Sequence, residues 1–374
     1  MTARRVVLLG GGHAHVHVLT RAAQVPLQDV ELVLISPHPH HLYSGMVPGY
    51  LQGTYQEAEM AFDLRVLAER ARARFVEGAA IRIDAGERIV ELADESLSFD
   101  LLSVDIGSEP AGLATAGVRE HALSVRPMNR AIALRERAEA LLGRADARPV
   151  AIVVVGGGAA GVEIALALER QGREHGRRAL VTIVEGGPVV LPELSGHVRR
   201  VAADILGRRS IRLKTGKRVS SIEAGAVVLD DGSRERADLT VWLAGAAPPR
   251  LFADSDLPRD PAGYLLVDST LRAVDGAPIF GAGDCIGLVG HPDLAKAGVY
   301  AVREAPVLDH NLRAALAGRP SIDYRPQRTF LALLNTADGR AIWRWRNFSG
   351  HSHFAWWLKD RIDRRFVRRY QVSA

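Results

Sequence analysis

Residues 150–172, VAIVVVGGGAAGVEIALALERQG, decide the fold of this chain. An apolar, β-branched run leads into a glycine-rich turn, and an alanine-rich helical sequence follows the turn. Gly156, Gly158 and Gly161 are spaced as G-x-G-x-x-G. In that pattern the first glycine permits a tight turn, the second lets the backbone approach a pyrophosphate, and the third lets helix and strand pack closely. The stretch predicts a dinucleotide pyrophosphate at the helix N-terminus.

The next strand indicates which dinucleotide binds. Residues 179–187, ALVTIVEGG, form a second apolar strand that ends at Glu185. A carboxylate in this place accepts hydrogen bonds from a ribose 2′-hydroxyl and repels a 2′-phosphate. We therefore expect NADH to be favoured over NADPH. A glycine-rich turn also occurs without a ligand, but the strand, helix and acid together favour a nucleotide site. Basic residues that could accommodate a phosphate follow the helix: Arg173, Arg177 and Arg178.

A similar unit opens the chain. Residues 8–20 read LLGGGHAHVHVLT, with Gly10 and Gly12 at the first two glycine positions of the pattern. His15 replaces the third glycine, and Ser36 replaces the acid at the end of the following strand. A serine still hydrogen-bonds a ribose, but less strongly than a charged acceptor. The repetition predicts two nucleotide-binding domains in one chain.

Residues 279–285, IFGAGDC, predict a short buried strand that ends in a small-residue turn carrying Asp284. This segment resembles the second flavin motif of the pyridine nucleotide-disulfide oxidoreductase superfamily. The resemblance implies that Asp284 hydrogen-bonds the ribityl chain of FAD and that the N-terminal glycine loop binds the FAD pyrophosphate. The A-T-G motif that this family places between them has two variants here, VDIG at residues 104–107 and LAG at residues 243–245.

Longer segments resemble one subgroup of the superfamily. GGGHAHVHVL, LYSGMVPGY, FDLLSVDIGS, KAGVYAVREAPVL and LKDRIDRRF resemble the flavoprotein module found fused ahead of selenide, water dikinase, which also occurs without the kinase. That module is similar to type II NADH dehydrogenases, which pass electrons from NADH through FAD to quinone. The resemblance covers nearly the whole chain and implies FAD and NAD(P)H as cofactors and a small-molecule, quinone-like acceptor.

The cysteine count separates members of this family. Cys285 is the single cysteine of the sequence, so an internal disulfide and a C-x-x-C pair are excluded. Disulfide reductases need a cysteine pair beside the flavin, and sulfide:quinone reductases also act through cysteines. Electrons delivered to FAD as hydride must therefore leave directly to a quinone, another soluble oxidant or oxygen.

Two residues are predicted to take part in catalysis. Glu163 matches a glutamate that lies, in type II NADH dehydrogenases, where nicotinamide, flavin and quinone meet; a favourable interaction with the helix dipole is the alternative. Lys296 begins the KAGVYAVRE helix that by resemblance borders the isoalloxazine, where it would stabilise negative charge on the reduced flavin. The dehydrogenases carry glutamines further along this helix, where Val299 and Arg303 stand here.

The histidines do not predict a metal site. His13, His15 and His17 are two residues apart, and such residues do not share a helix face. His41 and Tyr43 are expected to line the FAD pocket, with simple loop polarity as the alternative. The residues predicted to bind FAD are Gly10, Gly12, His13, Ala14, Ser36, His41, Tyr43, Asp105, Gly107, Gly283, Asp284 and Lys296. Those predicted to bind NAD(H) are Gly156, Gly158, Gly161, Glu185 and Gly245.

The C-terminal segment predicts a basic amphipathic helix. Phe354, Leu358, Ile362, Phe366 and Tyr370 recur every four residues, beside Trp356 and Trp357. Basic residues outnumber acids between Lys359 and Arg369, which is typical of a helix at a membrane surface. Alternatively, the apolar stripe docks on the protein itself or on a second subunit, as in a homodimer. No nucleic-acid-binding module is recognised.

The amino-acid composition indicates an ordinary globular protein. The 374 residues are 47% hydrophobic and 24% charged, as in ordinary globular proteins. No apolar run is long enough to span a bilayer, and the N-terminal residues lack a signal-peptide pattern. We expect a cytoplasmic protein, peripheral on the inner face of the cell membrane if the C-terminal helix binds lipid.

These observations predict an α/β protein with two Rossmann-like domains, followed by a short C-terminal β-hairpin and an amphipathic helix. Residues 1–112 and 250–320 are assigned to the FAD domain, 113–249 to the NAD(H) domain and 321–374 to the C-terminal unit. The predicted activity is hydride transfer from NADH to FAD and electron transfer to a quinone-like acceptor. A reductase for a soluble acceptor, a redox module linked to selenium metabolism and a non-enzymatic redox sensor stay open.

Overall fold

Two five-stranded parallel sheets form the centre of the computed structural model, which describes residues 3–144, 148–327 and 329–371. The first sheet starts with the apolar strand before the N-terminal glycine loop, whose side chains are buried from Val6 to Leu9. Its part of the chain contains β1 (Arg4–Leu9), α1 (His13–Gln24), β2 (Val30–Ser36), β3 (His40–Leu42), α2 (Val47–Leu51), β4 (Ala61–Asp63), α3 (Leu64–Arg70), β5 (Arg74–Glu77), β6 (Ala80–Asp84), β7 (Ile89–Leu92), β8 (Ser96–Ser98), β9 (Leu101–Val104) and β10 (Glu109–Pro110).

The second sheet is built around the apolar run before the second glycine loop, in which every residue is buried. A run buried on both faces is what a central parallel strand requires. This part contains α4 (Val118–His121), β11 (Ala122–Leu123), α5 (Arg130–Leu142), β12 (Val150–Val155), α6 (Ala159–Glu174), β13 (Ala179–Glu185), α7 (Gly196–Arg208), β14 (Arg212–Thr215), β15 (Val219–Glu223), β16 (Ala226–Leu229), β17 (Arg234–Arg236), β18 (Leu239–Trp242) and β19 (Ala246–Ala247).

The chain then returns to the first sheet and ends in a small antiparallel unit. The return segment contains β20 (Leu265–Val267), β21 (Ile279–Gly281), β22 (Ile286–Leu288) and α8 (Gly298–Ala317). The C-terminal unit contains β23 (Ala332–Asn335), β24 (Ala341–Trp345), β25 (Phe348–Ser352) and α9 (His353–Tyr370).

The two large sheets share one order for four of their five strands, as the duplicated sequence pattern predicts; the outer strand is the last along the chain in the first sheet (β21) and the first along the chain in the second (β11). The first sheet has the order β21-β9-β1-β2-β5 and the second β11-β18-β12-β13-β14, with parallel pairing throughout. Each half also inserts a three-stranded antiparallel sheet, β6-β7-β8 or β15-β16-β17, before the chain returns to the central strands. Ligands of open parallel sheets bind outside the carboxyl ends of the strands, and both glycine loops lie at those ends.

The predicted C-terminal hairpin is part of a larger sheet. β23 pairs with β24 in the predicted antiparallel way, but β25 then pairs with the other edge of β24. The chain reverses a second time at Arg346, which adopts a positive φ of 53°. The prediction of a hairpin alone was therefore incomplete, because the residues after this turn were assigned to the preceding strand.

The C-terminal helix α9 docks on the protein through one face only. Its buried residues are Ala355, Lys359, Asp363, Val367 and Tyr370. Phe366 packs beside them, whereas Phe354 is 68% exposed and Ile362 is 43% exposed. Each step of four residues turns about 40° around a helix, so the predicted apolar repeat passes from the exposed side to the docked side. The repeat was wrongly treated as a single stripe.

A buried ion pair anchors α9. The ammonium of Lys359 donates to Asp363 Oδ2 (2.7 Å) and to the carbonyl of Gly45 (2.8 Å). The hydroxyl of Tyr43 donates to Asp363 Oδ1 (3.2 Å). Lys359 and Asp363 are 7% and 4% exposed, so this helix face is held by satisfied charges as well as by apolar contacts.

We predict that Lys359→Met lowers the free energy of unfolding by about 3–5 kcal/mol, because the buried carboxylate of Asp363 loses its cation. Urea denaturation measures this loss. The matched control is Arg208→Met on α7, where the ion pair with Asp204 is largely exposed. Loss of an exposed pair costs under about 1 kcal/mol. Equal costs for the two variants would contradict the prediction.

Candidate functional site

A cleft of about 660 Å³ lies at the carboxyl edge of the first sheet. This volume is in the range of cofactor sites. Nine of the twelve residues predicted to bind FAD line it: Gly10, Gly12, His13, Ser36, His41, Asp105, Gly107, Asp284 and Lys296. The fold thus brings the N-terminal glycine loop together with the return segment, as an FAD site requires.

Asp105, which follows β9, holds the first turn of α1. Its Oδ2 accepts hydrogen bonds from the backbone N–H groups of Ala14 (2.8 Å) and His15 (3.2 Å). The predicted ligand Ala14 therefore bonds Asp105. Burial raises the pKa of Asp105 to about 7, against the lowering effect of these two donors. A carboxyl group lies at the helix N-terminus where the sequence predicts a pyrophosphate.

His15 shows how the loop functions without its third glycine. The imidazole is fully buried, and its Nδ1 lies 2.6 Å from the carbonyl oxygen of Gly10. Its Nε2 lies 2.8 Å from Ser103 Oγ on β9. In the second loop the same position is Gly161, where a Cβ would come within 1.9 Å of the carbonyl oxygen of Gly156. The first loop therefore replaces close packing by two side-chain hydrogen bonds.

Asp284 lies in the cleft beside a cation that sequence reasoning missed. Its Oδ2 is 3.6 Å from Nη2 of Arg126, and Nη1 of Arg126 donates to Ser108 Oγ (2.9 Å). Burial raises the pKa of Asp284, and the charges of Arg126 and Lys296 oppose the rise. Arg126 belongs to the linker before α5 and stands in no motif, so only the fold could place it in the cleft.

Gly283 packs against two acidic side chains, Glu304 and Asp105. Its N–H donates to Glu304 Oε2 (2.6 Å), and a Cβ added to it would lie 2.7 Å from Asp105 Oδ1. Its φ of 76° is also one that favours glycine. Burial raises the pKa of Glu304 to about 8. This glycine thus lets the two segments that are predicted to bind FAD approach each other.

Lys296 lines the cleft, but it precedes α8, which begins at Gly298. The predicted helix start at Lys296 was therefore two residues too early. The ammonium bonds the carbonyl of Ile286 and lies 3.9 Å from the ring centroid of Tyr264. Burial lowers the pKa of Lys296. The ammonium of Lys296 is therefore held by Ile286 and Tyr264, and Lys296 itself lies outside α8.

Cys285 is a buried structural residue. Its Sγ donates to the carbonyl of Ala282 (3.1 Å), and burial raises the pKa of the thiol. A thiol that resists ionisation is a poor nucleophile. The position directly after Asp284 therefore provides no redox-active group.

His41 and Tyr43, the two aromatic residues predicted to line the cleft, lie in different places. His41 lines it, and its Nε2 lies 3.0 Å from Nδ1 of His13. Burial lowers the pKa of both imidazoles, so the pair is neutral near pH 7. Tyr43 is not among the residues that line the cleft: its ring centroid lies 4.7 Å from that of Phe366, and its buried hydroxyl donates to Asp363 Oδ1. Its role in binding FAD stays a prediction.

The second glycine loop is arranged around Glu185. The two oxygens of this carboxylate accept hydrogen bonds from the N–H groups of Gly157 (2.6 Å) and Gly187 (2.7 Å). This anchoring holds the acid at the loop, beside the N-terminus of α6. Gly158 is the residue before α6, and Gly245 follows β18 with a φ of 103°. Four of the five predicted NAD(H) residues therefore lie at the N-terminus of α6 and the loop before it: Gly156, Gly158, Gly161 and Glu185.

Glu163 lies outside the cleft wall, under the C-terminal unit. Its Oε1 accepts a hydrogen bond from the N–H of Asn335 (2.7 Å). Burial raises its pKa to about 7, although the charge of Lys359 lowers it. Burial also lowers the pKa of Lys359, but Asp363 and Glu163 more than offset that effect. Sequence reasoning missed this cluster, since Lys359 and Asp363 counted only as charges of a basic helix.

No three His, Cys, Asp or Glu side chains within residues 3–144, 148–327 and 329–371 are placed to hold a metal ion. His15 bonds Ser103, and His17 bonds the hydroxyl of Tyr370 (3.1 Å). The N-terminal histidines are thus engaged separately in the core.

The fold and the two glycine loops define a two-dinucleotide flavoprotein architecture. The family model for pyridine nucleotide-disulphide oxidoreductases matches residues 4–303, so the chain belongs to this family, as the sequence analysis predicted. Solved structures share the fold. NDH2 from Plasmodium falciparum in complex with NADH has a TM-score of 0.83 at 14% identity, covering 98% of this chain and 97% of that one. The sulfide:quinone oxidoreductase of Aquifex aeolicus has a TM-score of 0.81 at 19% identity, covering 100% and 93%.

Curated relatives span most of the chain. Demethylphylloquinone reductase NdbB of a Synechocystis strain is 27% identical over 349 residues, which cover 88% of this chain and 84% of the relative. A type II NADH:quinone oxidoreductase of Staphylococcus saprophyticus is 24% identical over 386 aligned positions, covering 97% and 95%. The chain is therefore similar to both over nearly its whole length.

We predict that two glycine substitutions weaken the two nucleotide sites independently, one lowering the affinity for FAD and the other the affinity for NADH. In Gly12→Ala the new Cβ would lie 2.2 Å from Asp105 Oδ1, and in Gly161→Ala 1.9 Å from the Gly156 carbonyl. Overpacking costs about 1–3 kcal/mol, so Gly12→Ala should weaken FAD binding, and Gly161→Ala NADH binding, by about tenfold. Flavin absorbance and NADH titration measure these affinities. The control is Gly207→Ala, which meets no atom within 4 Å; an equal loss there would contradict the argument.

Proposed function

We propose that the protein is an FAD-dependent oxidoreductase that oxidises NADH and passes the electrons to a quinone-like acceptor without a redox disulfide. One observation carries the proposal: two nucleotide loops end the central strands of two duplicated sheets, while the single cysteine is buried. The names of the relatives support it, since one is a demethylphylloquinone reductase and another an NADH:quinone oxidoreductase.

The residues of the first cleft fit FAD. Gly12 lets the Asp105 carboxyl approach the loop at the edge of the cleft, since a Cβ there would lie 2.2 Å from Asp105 Oδ1. Asp284 offers a hydrogen-bond acceptor, and Arg126 and Lys296 offer positive charge for an anionic cofactor. Bound in this cleft, FAD would supply the redox chemistry that links oxidation of NADH to reduction of the acceptor. Glu185 at the second loop would hold the ribose of NADH and disfavour NADPH.

Glu163 is our candidate for the group that supplies a proton to the acceptor. Reduction of a quinone to a quinol consumes protons, and a carboxyl group with a pKa near 7 exists in both protonation states at neutral pH. The N–H of Asn335 holds the carboxyl of Glu163 against the C-terminal unit, and the charge of Lys359 lowers its pKa. We therefore assign Glu163 the role of proton donor, with a pKa that Lys359 tunes.

Anaerobic half-reactions test the proposal. NADH should bleach the yellow protein in the absence of acceptor, and a short-chain ubiquinone or menaquinone analogue should restore the colour within the catalytic cycle time. Faster recovery with a water-soluble dye than with every quinone would point to a soluble acceptor. A colourless protein, or one that NADH does not bleach, would contradict the proposal.

We predict that Glu163→Gln slows the quinone half-reaction by about tenfold or more, because a positioned proton donor contributes at least that factor. In the wild type this half-reaction should slow as the pH rises through about 7, where the protonated fraction of Glu163 falls. The variant should lose this pH dependence. Stopped-flow reoxidation measures both effects. The control is Glu174→Gln at the other end of α6, which should keep the wild-type profile; an unchanged profile in Glu163→Gln would contradict the assignment.

The exposed face of α9 supports membrane binding. Phe354 and Trp357 stack on each other with ring centroids 5.5 Å apart, and Trp357 is 53% exposed. The guanidinium of Arg361 lies 5.7 Å from the Trp357 ring centroid. Aromatic rings beside basic residues suit the headgroup region of an anionic bilayer. Among the helices of the described residues, none is long and apolar enough to cross a membrane.

We predict that the triple variant Phe354→Ser, Trp357→Ser, Ile362→Ser reduces binding to phosphatidylglycerol vesicles by about tenfold or more, because burial of each apolar side chain contributes roughly 1.5–3 kcal/mol. Vesicle flotation measures the bound fraction. The matched control replaces three exposed apolar residues outside α9: Val25, Val289 and Ile322. Retention of vesicle binding by the α9 variant would refute a membrane role for this face.

A further inference from the structure

The strand that ends beside each glycine loop is followed by a different residue in the two halves of the chain. Where β9 ends, the next residue is Asp105; where β18 ends, the next residue is Leu243. The positions correspond, because a Cβ on Gly10 would lie 2.2 Å from the Asp105 carbonyl oxygen and a Cβ on Gly156 would lie 2.3 Å from that of Leu243. The first loop therefore carries a carboxyl group where the second carries an alkyl side chain.

The Asp105 carboxyl lies between the segments that surround the cofactor cleft. Its Oδ2 accepts two N–H groups from the first turn of α1. Its Oδ1 would lie 2.2 Å from a Cβ on Gly12 and 2.7 Å from one on Gly283. The residue is 2% exposed and lines the cleft. An FAD diphosphate held by the loop at Gly12 thus meets this carboxyl group.

The charges around Asp105 disfavour its ionised form. Asp284 raises its pKa, and Glu304 interacts with it from α8. The thiol of Cys285 is un-ionised, and His13 and His15 on α1 are neutral, since burial lowers the pKa of each imidazole to about 4. The cations on this side, Lys296 and Arg126, lie beside Asp284. A diphosphate would add negative charge that an ionised Asp105 repels.

We propose that Asp105 binds FAD as a neutral carboxylic acid, in which Oδ2 accepts the α1 N–H groups and Oδ1 donates its proton in a hydrogen bond to the diphosphate. A carboxylic acid has one O–H donor, and the two bonds to Oδ2 leave Oδ1 to carry it. The inference rests on the proposed FAD-binding function. A pKa of about 7 in the free protein agrees with it.

FAD affinity is then linked to proton uptake. Below pH 7 the carboxyl is already protonated, and FAD binds without further cost. Above pH 7 each FAD that binds takes up about one proton, so the Kd rises by up to about tenfold per pH unit. An asparagine at this position has an amide oxygen for the α1 N–H groups and an N–H for the diphosphate, with no proton to gain.

The experiment follows FAD release from the full-length holoenzyme between pH 6 and 9, by the fluorescence of freed FAD. The wild-type Kd should rise by about tenfold per unit above pH 7. That of Asp105→Asn should change by less than about threefold over the same range. The control Glu304→Gln, which removes the other acid of raised pKa near Gly283, should keep the wild-type slope.

Proton uptake provides a measurement that does not depend on the variant. Calorimetric FAD titration of the stripped wild-type protein at pH 8, in two buffers of different ionisation enthalpy, should give about one proton per FAD. A flat wild-type profile with no proton uptake would overturn the inference, as would an Asp105→Asn variant that keeps the slope. In both cases FAD still binds, so the proposed function stands; a protein that binds no FAD at any pH would refute both.

Discussion

The structure depends on one steric constraint that occurs twice: a glycine loop turns against the backbone at the end of the neighbouring strand. At Gly10 and at Gly156 the carbonyl oxygen of that strand end lies within about 2.3 Å of where a Cβ would stand. Any other residue would push the loop away from the strand and move the helix that follows. The contact fixes each helix N-terminus at the carboxyl edge of its sheet, where an anion is favoured.

Given that shared constraint, the two halves differ in what they place at the helix N-terminus. The second loop follows the glycine pattern fully, and its acid Glu185 lies at the end of the next strand, held by backbone N–H groups. The first loop has lost both the third glycine and the acid. His15 replaces one by bridging the loop to β9, and Asp105 supplies a carboxyl from a third strand. The duplicated unit has thus kept its geometry while its polar groups come from other segments.

Sequence reasoning identified residues whose place in the fold depends on local spacing. The glycine loops, Glu185 and Asp284 each belong to a pattern of residues close together in the sequence, so they can be recognised without knowledge of the fold. The contact of Arg126 with Asp284 and the hydrogen bond from Asn335 to Glu163 join segments far apart in the chain, so no local sequence pattern predicts them. The orientation of Tyr43 was decided by Asp363, more than three hundred residues away, which offers a partner for a buried hydroxyl.

The C-terminal helix shows why apolar periodicity was the weaker guide. Apolar periodicity identifies a stripe of apolar residues on the helix. Which side chains are buried, however, depends on the partners that the docking surface offers them. On that surface the carbonyl of Gly45 accepts a hydrogen bond from Lys359, and the hydroxyl of Tyr43 donates one to Asp363. Because these charges are satisfied internally, several apolar residues of the helix, among them Phe354 and Trp357, are left on the opposite side. The docked face of α9 therefore combines a buried ion pair with apolar contacts, and its exposed side carries apolar side chains beside arginines such as Arg361. Exposed apolar side chains that lie together in this way mark an interaction surface.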